Sequence, residues 1–242
     1  MIPCIIHTFW FGQKAIPKNV KKYIESWRKN NPGYQIKIWT EKNYDVNKNK
    51  YSSQAYKKSK YAFVSDYARL DILYKYGGIY LDTDILVCKS FDNLLEKKAF
   101  IGYQNDLELN TGVIGAEKNN KWIGQLLKLY DDRQFINLDG SIDLTTNVEI
   151  ITEYTNKIFK LDNNKTIQEF SDLTVYPFEY FCAKSLVDGK IYKTHKTYAI
   201  HEFSGSWLSS KDKFVKWLIN AIGYNRVQKL VKIKNFFKWV RK

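Results

Sequence analysis

The sequence has few cysteines and no long apolar run. Cys4, Cys88 and Cys182 are the three cysteines in 242 residues, and no Cys-x-x-Cys pair occurs. This scarcity argues against a disulfide framework and against a thiolate zinc site, and it favours a reducing compartment. The N-terminal MIPCIIHTFW has no basic segment ahead of a long apolar stretch, and no run reaches the roughly 18 apolar residues of a transmembrane helix. We therefore expect a cytoplasmic protein.

Linkers, repeats and low-complexity tracts are also missing, so the 242 residues predict one sizeable α/β domain. The sequence has neither a Gly-rich phosphate loop nor a Gly-x-Gly-x-x-Gly fingerprint. Their absence argues against a kinase and against a dinucleotide-binding enzyme.

Acidic residues are scarce near the C-terminus. The net charge is +14, and Lys211 to Lys242 holds ten Lys or Arg and one acidic residue. We interpret residues 211–242 as a basic, amphipathic helical extension of a catalytic domain at 1–210. A basic protein could also bind nucleic acid, but charge concentrated in a tail disfavours that partner.

The apolar segments alternate between strand and helix patterns. Residues 4–11 and 34–39 read as strands, and residues 18–30 between them read as an amphipathic helix that starts after Pro17 and stops at Pro32-Gly33. The alternation continues with strand-like segments at 99–103, 112–116, 174–181 and 198–203 and a helical pattern at 119–130. Such alternation is typical of an open, largely parallel sheet, which binds ligands beyond the carboxyl ends of its strands.

The stretch YAFVSDYARLDILYKYGGIYLDTDILV, residues 61–87, carries the clearest chemical signal. It predicts a helix from Tyr61 to Tyr76 that ends at Gly77-Gly78, followed by a strand from Ile79 to Val87. Alternation along that strand places three polar residues on one face: Tyr80, Asp82 and Asp84. Carboxylates two apart would lie roughly 7 Å from each other and would repel unless a cation were near. Oxygen ligands suit Mg²⁺ or Mn²⁺, which keep positions open for a diphosphate.

Each of these polar residues also has an ordinary interpretation. Asp82 and Asp84 could be surface residues of a loop, and Asp66 with Arg69 could form a helix-surface salt bridge. The segment AIHEFSGSW could bring His201 or Glu202 to the metal, although a lone strand histidine is more often a core residue. Asn110-Thr111-Gly112 could be a turn.

Four motifs carry a resemblance to a known family. IPCIIHTFWFG, SDYARLDILYKYGGIYLDTD, LNTGVIGA and IHEFSGSW together resemble glycosyltransferase family 32 and, more distantly, the glucosylating domains of large clostridial toxins. The resemblance implies a GT-A type, Rossmann-like fold with a mainly parallel central sheet over residues 1–210. The chain departs from the pattern of many relatives at Thr145-Thr146-Asn147.

The resemblance also implies roles for individual residues. The catalytic set is Asp66, Arg69, Asp82 and Asp84. The metal ligands are Asp82, Asp84, His201 and Glu202, with His201 and Glu202 as alternatives. The donor-binding set is Phe9, Trp10, Ser65, Asp66, Arg69, Tyr80, Asp82, Asn110, Ser206 and Trp207, in which Trp10 stacks on the nucleobase.

The implied function is a metal-dependent, retaining transfer of a hexose or N-acetylhexosamine. The donor would be a nucleotide-sugar, with a UDP-sugar favoured over a GDP-sugar, and the cofactor Mn²⁺ or Mg²⁺. The acceptor would be a glycan, lipid-linked, in capsular polysaccharide or lipopolysaccharide synthesis at the inner face of a bacterial membrane. The alternatives are another Asp-x-Asp phosphoryl or nucleotidyl transferase and a basic nucleic-acid-binding protein.

We predict that the C-terminal extension binds anionic membranes. No acidic residue follows Tyr224, and aromatic residues alternate with basic ones as in an interfacial helix. Each basic residue near an anionic surface contributes about 1 kcal/mol, so several would hold the protein reversibly. Sedimentation with anionic liposomes should pull down the full chain and leave a chain ending at Gly223 in solution. Equal binding of the two chains would contradict the prediction.

Overall fold

The computed structural model describes residues 1–162, 165–185 and 189–204. The helices in this part of the chain are α1 (Lys18–Asn30), α2 (Lys50–Lys57), α3 (Tyr61–Tyr76), α4 (Lys121–Lys128), α5 (Asn147–Phe159) and α6 (Phe178–Phe181). The strands are β1 (Ile5–Phe9), β2 (Gln35–Trp39), β3 (Gly78–Leu81), β4 (Ile85–Val87), β5 (Ala99–Tyr103), β6 (Leu109–Ala116), β7 (Gln168–Glu169), β8 (Thr174–Tyr176) and β9 (Ala199–His201). The proposed extension at 211–242 lies outside the described residues.

Seven strands form one mixed sheet in the order β2-β1-β3-β6-β5-β8-β7, and β4 pairs with β9 in a separate two-stranded sheet. The β1–β2, β1–β3 and β5–β8 pairs are parallel, whereas β3–β6, β5–β6 and β7–β8 are antiparallel. Since β3 and β5 are both antiparallel to β6, the strands β1, β3 and β5 all end at one edge of the sheet. This edge is where an α/β sheet binds ligands.

Apolar side chains cover both faces of the sheet. On one face, α2, α3, α4 and α5 contribute residues such as Ala55, Leu70 and Ile151. On the other face, α1 and the β4–β9 pair contribute residues such as Trp27 and Ala199. The alternation of strands and helices in the sequence therefore produces the α/β layers that it predicts. No helix among the described residues combines the length and apolar character that crossing a membrane requires.

Two helices begin and end where the sequence places them. Helix α1 covers Lys18–Asn30, and α3 covers Tyr61–Tyr76 and ends at Gly77, whose φ is +67°. Gly78 has a φ of +109°, and a Cβ there would lie 2.7 Å from the carbonyl oxygen of Ile5. Only glycine allows this approach, which brings β3 alongside β1.

The prediction of one strand from Ile79 to Val87 is wrong. The strand ladder of β3 ends at Leu81, which pairs with Val113 of β6, and β4 begins at Ile85, which pairs with His201 of β9. A turn over Asp82–Asp84 separates them, closed by a 3.1 Å hydrogen bond from the Ile85 amide to the Asp82 carbonyl. The two carboxylates therefore lie on a turn where the chain passes from one sheet to the other.

His7 lies in the core beneath the α3–β3 junction. The Trp39 indole N–H donates to His7 Nδ1 over 3.1 Å, so Nε2 carries the proton and donates to the Gly77 carbonyl over 2.9 Å. Burial lowers the pKa of His7 from its ordinary 6.5 to about 4. Neutral His7 thus ties β1, β2 and the end of α3 together.

We predict that His7 makes the protein less stable in acid. Between its unfolded pKa of 6.5 and its folded pKa of about 4, the unfolded chain binds a proton that the folded protein does not. The free energy of unfolding should therefore decrease as the pH is lowered from 6.5 to about 4, by about 3 kcal/mol in total. Urea unfolding across the window should show a shallower decline for His7→Gln, whose amide serves both partners without titrating. Parallel curves for the two proteins would contradict the assignment.

Candidate active site

The candidate site gathers polar side chains from four separate elements at the ligand-binding edge of the sheet. Helix α3 supplies Asp66 and Arg69, and the turn after β3 supplies Asp82 and Asp84. Strand β6 supplies Asn110, and β9 supplies His201.

Arg69 is buried at 5% exposure, and Asp66 is buried at 9%. Arg69 Nη2 donates to Asp66 Oδ1 over 2.9 Å, Nη1 to the Thr111 carbonyl over 2.7 Å, and Nε to the Ser65 carbonyl over 3.2 Å. A helix-surface salt bridge, the ordinary interpretation of this pair, is therefore wrong. Burial raises the pKa of Asp66 to about 6, although Arg69 opposes this shift.

Asp82 faces the same guanidinium. Its Oδ1 atom lies 3.6 Å from Arg69 Nη1 and accepts a hydrogen bond from the Tyr80 hydroxyl. The Tyr80 ring packs under the guanidinium, with Arg69 Cζ 4.5 Å from the ring centroid. Arg69 therefore offsets the charge of both carboxylates from one fixed position.

Asp84 is held by groups from β9 and the residues after it. Its Oδ2 atom accepts hydrogen bonds from the Ser204 amide at 2.8 Å and the Ser204 hydroxyl at 3.0 Å. Its Oδ1 atom lies 3.3 Å from His201 Nε2. Burial alone would raise the pKa of Asp84, but His201 and Ser204 outweigh it and lower that pKa to about 2. Asp84 is thus ionised at neutral pH.

The Asn110 amide fixes the orientation of His201. Its Oδ1 atom accepts from the Gly112 amide at 2.9 Å and faces His201 Nδ1 at 3.2 Å. Because the Gly112 bond identifies this atom as the oxygen, Nδ1 must carry the imidazole proton. In the neutral ring, Nε2 then presents a lone pair to the Asp84 carboxylate. Nε2 lies 3.3 Å from Asp84 Oδ1, so it donates a hydrogen bond to that oxygen when the ring is protonated and offers its lone pair to a cation when the ring is neutral.

The donor set fits a divalent metal. Ligand atoms of Asp82, Asp84 and His201 all lie within 4.8 Å of one another. Two carboxylates and one imidazole suit Mn²⁺ well, and the Asn110 hydrogen bond is the outer-sphere support that metal-binding histidines commonly have. Glu202, the alternative ligand to His201, instead forms a salt bridge with Lys184.

The other predicted donor-binding residues are dispersed around this centre. The Phe9 ring is buried 5.9 Å from the Tyr80 ring, and the partly exposed Trp10 donates its indole N–H to the Lys14 carbonyl over 2.6 Å. The Ser65 hydroxyl donates to the Tyr61 carbonyl within α3. Ser206 and Trp207 lie outside the described residues.

Sequence reasoning missed Asn147 as a site residue. Its amide nitrogen donates to the Asp66 carbonyl over 3.1 Å, and it is buried at the first position of α5. A signal for this helix was present, because Thr146 and Glu149 form the Thr-x-x-Glu pattern of a helix start, and the Thr146 hydroxyl accepts from the Glu149 amide. Ser204 was also missed.

The fold and the Asp-x-Asp turn define the chain as a glycosyltransferase with the GT-A fold. Residues 17–101 match the family described as glycosyltransferase sugar-binding region containing DXD motif. The resemblance predicted from the sequence is therefore confirmed, and it selects the sugar transferase among the three predicted functions.

Known proteins give the extent of the similarity. The chain is 29% identical over 231 residues to an uncharacterized glycosyltransferase of Acanthamoeba polyphaga mimivirus, covering 86% of this chain and 84% of the relative. It is 35% identical over 123 residues to inositol phosphoceramide mannosyltransferase 1 of Schizosaccharomyces pombe, covering 43% of this chain but 37% of the yeast protein. The solved PaToxG glycosyltransferase is 22% identical with a TM-score of 0.51, covering 66% of this chain and 70% of that one, and shows the shared fold alone.

We predict that Gly112 is required for the metal-binding geometry. A Cβ at this position would lie 2.9 Å from His201 Cε1 and 3.0 Å from Asp82 Oδ2, so Gly112→Ala must push these side chains apart. Calorimetric titration with Mn²⁺ should show an affinity about tenfold weaker or worse. The matched control is Gly124→Ala in α4, where the three atoms nearest to the added methyl all belong to the partly exposed ring of Tyr74. Unchanged Mn²⁺ affinity in Gly112→Ala would contradict the assignment.

Proposed function

We propose that the protein transfers a hexose or N-acetylhexosamine from a nucleotide-sugar to a glycan acceptor, with a divalent cation and with retention of anomeric configuration. The observation that carries this proposal is the convergence of ligand atoms from Asp82, Asp84 and His201, which all lie within 4.8 Å of one another. A UDP-sugar is the preferred donor and a GDP-sugar the second choice.

Asp82, Asp84 and His201 would hold Mn²⁺ or Mg²⁺. A bound cation of this kind neutralises the negative charge that builds on a departing diphosphate. Glu202 would stay out of the metal site, since its carboxylate pairs with Lys184.

The buried guanidinium of Arg69 has a role separate from that of the metal. Among the described residues, Arg69 donates hydrogen bonds to three protein oxygens, so it chiefly fixes Asp66 and the Thr111 carbonyl in place. A buried, oriented Asp66 would accept hydrogen bonds from donor-sugar hydroxyls. Trp10, partly exposed after β1, would offer its ring face to the nucleobase.

The proposed acceptor is a lipid-linked glycan. Its support is twofold: the yeast relative is named for transfer to inositol phosphoceramide, and residues 211–242 have the composition of a membrane-surface helix. A cytoplasmic enzyme held at the inner face of a bacterial membrane would meet such acceptors during capsular polysaccharide or lipopolysaccharide synthesis.

We predict that Asp84 is essential for cation-dependent transfer. Asp84→Asn removes the charge but keeps the shape, so sugar release from UDP- and GDP-sugars with Mn²⁺ should fall about a hundredfold or more. Glu202→Gln is the matched control, because it removes the neighbouring carboxylate, and it should retain most activity. The fold should persist in both variants by circular dichroism. Full activity of Asp84→Asn in EDTA would refute cation dependence.

A further inference from the structure

A surface cavity of about 100 Å³ lies where β5 ends, away from Asp84 and His201. Its lining combines carboxylate, amide and hydroxyl groups with apolar surface, and includes Tyr103, Asp106, Leu107, Thr152, Asn156 and Asp162. None of the predicted site residues belongs to it. We call it the Tyr103 cavity.

The Tyr103 cavity lies at the same sheet edge as the candidate active site. Tyr103 pairs with Leu109, and the preceding residue Gly102 pairs with Asn110, whose amide orients His201. One ladder position, about 3.3 Å along β6, therefore separates the cavity wall from an active-site residue.

Helix α5 also connects the candidate active site with the Tyr103 cavity. Asn147 at its start bonds the Asp66 carbonyl, and Thr152 and Asn156 of the same helix line the cavity. At 1.5 Å per residue, they lie roughly 7.5 and 13.5 Å further along the helix axis. A substrate about two sugar rings long would span this separation.

Hydrogen bonds hold the cavity walls in position. Gln168 accepts from the Asp162 amide over 2.8 Å and donates to the Tyr103 hydroxyl over 3.4 Å. The Thr152 hydroxyl accepts from the Leu109 amide over 3.0 Å, and Asn105 accepts from the Leu107 amide over 2.8 Å. Hydrogen bonds from neighbouring residues thus fix the lining side chains and backbone in position, as a binding site requires.

We propose that the Tyr103 cavity binds a neutral sugar unit of the acceptor, an inference that rests on the proposed function. Carboxylates and amides offer the paired hydrogen bonds that vicinal hydroxyls need, and apolar surface suits the C–H face of a sugar ring. Asp106 and Asp162 disfavour an anionic ring, and none of the lining residues is basic.

Saturation-transfer NMR of the full chain with methyl glycosides of glucose, galactose, mannose and N-acetylglucosamine tests this proposal. Asn156→Trp fills the cavity from its exposed rim and should reduce the signal of at least one glycoside about fivefold or more. Glu153→Trp, on an exposed face of the same helix that does not line the cavity, should keep the signal. Asp162→Asn should weaken it without adding bulk.

Two outcomes would overturn the proposal: no glycoside signal that depends on Asn156, or equal binding of the corresponding sugar 6-phosphates. Thermal shift with UDP and Mn²⁺ in the same samples separates this test from the donor site. An Asn156-dependent signal in a protein that binds no UDP would support the cavity and count against the proposed function. Normal UDP binding without an Asn156-dependent signal would overturn the cavity proposal and leave the proposed function standing.

Discussion

The arrangement of the site depends on one buried guanidinium. Arg69 is almost fully removed from water, so each of its donors needs an acceptor, and the acceptors come from α3, from β6 and from the turn after β3. The same requirement makes the carboxylates tolerable, because two acidic groups in a desolvated cluster are stable only beside a fixed positive charge. Helix, sheet and turn are thereby held in one relative position by electrostatics as well as by apolar packing.

Asp82 and Asp84 lie where the chain passes from the seven-stranded sheet to the β4–β9 pair. The chain leaves the main sheet at Leu81, turns through Asp82–Asp84, and joins β9 at Ile85. This turn lets Asp82 face Arg69 while Asp84 faces His201 and Ser204, whereas a continuous strand would direct both carboxylates to one face. Glycine at position 112 leaves the space that the imidazole and the carboxylate occupy.

Clear start and stop residues explain which elements the sequence predicts correctly. Helices α1 and α3 have regular apolar spacing and Pro or Gly at their limits, and both were predicted to the residue. The turn at Asp82 was missed because period-two alternation continues through it, and only the pairing of β4 with β9 reveals the break. His201 and Glu202 were indistinguishable in sequence, since the choice between them depends on Lys184 and Asn110, which are remote along the chain.

Ser204 and Asp84 are 120 positions apart in the chain, and their contact closes the site through strand β9. Synthesis proceeds from the N-terminus, so a growing chain exposes its paired aspartates long before the imidazole and the hydroxyl that contact Asp84 exist. The β3–β4 turn must therefore remain soluble and unoccupied by wrong partners for most of translation. Charged residues at the turn serve this interval too, because they discourage premature strand association.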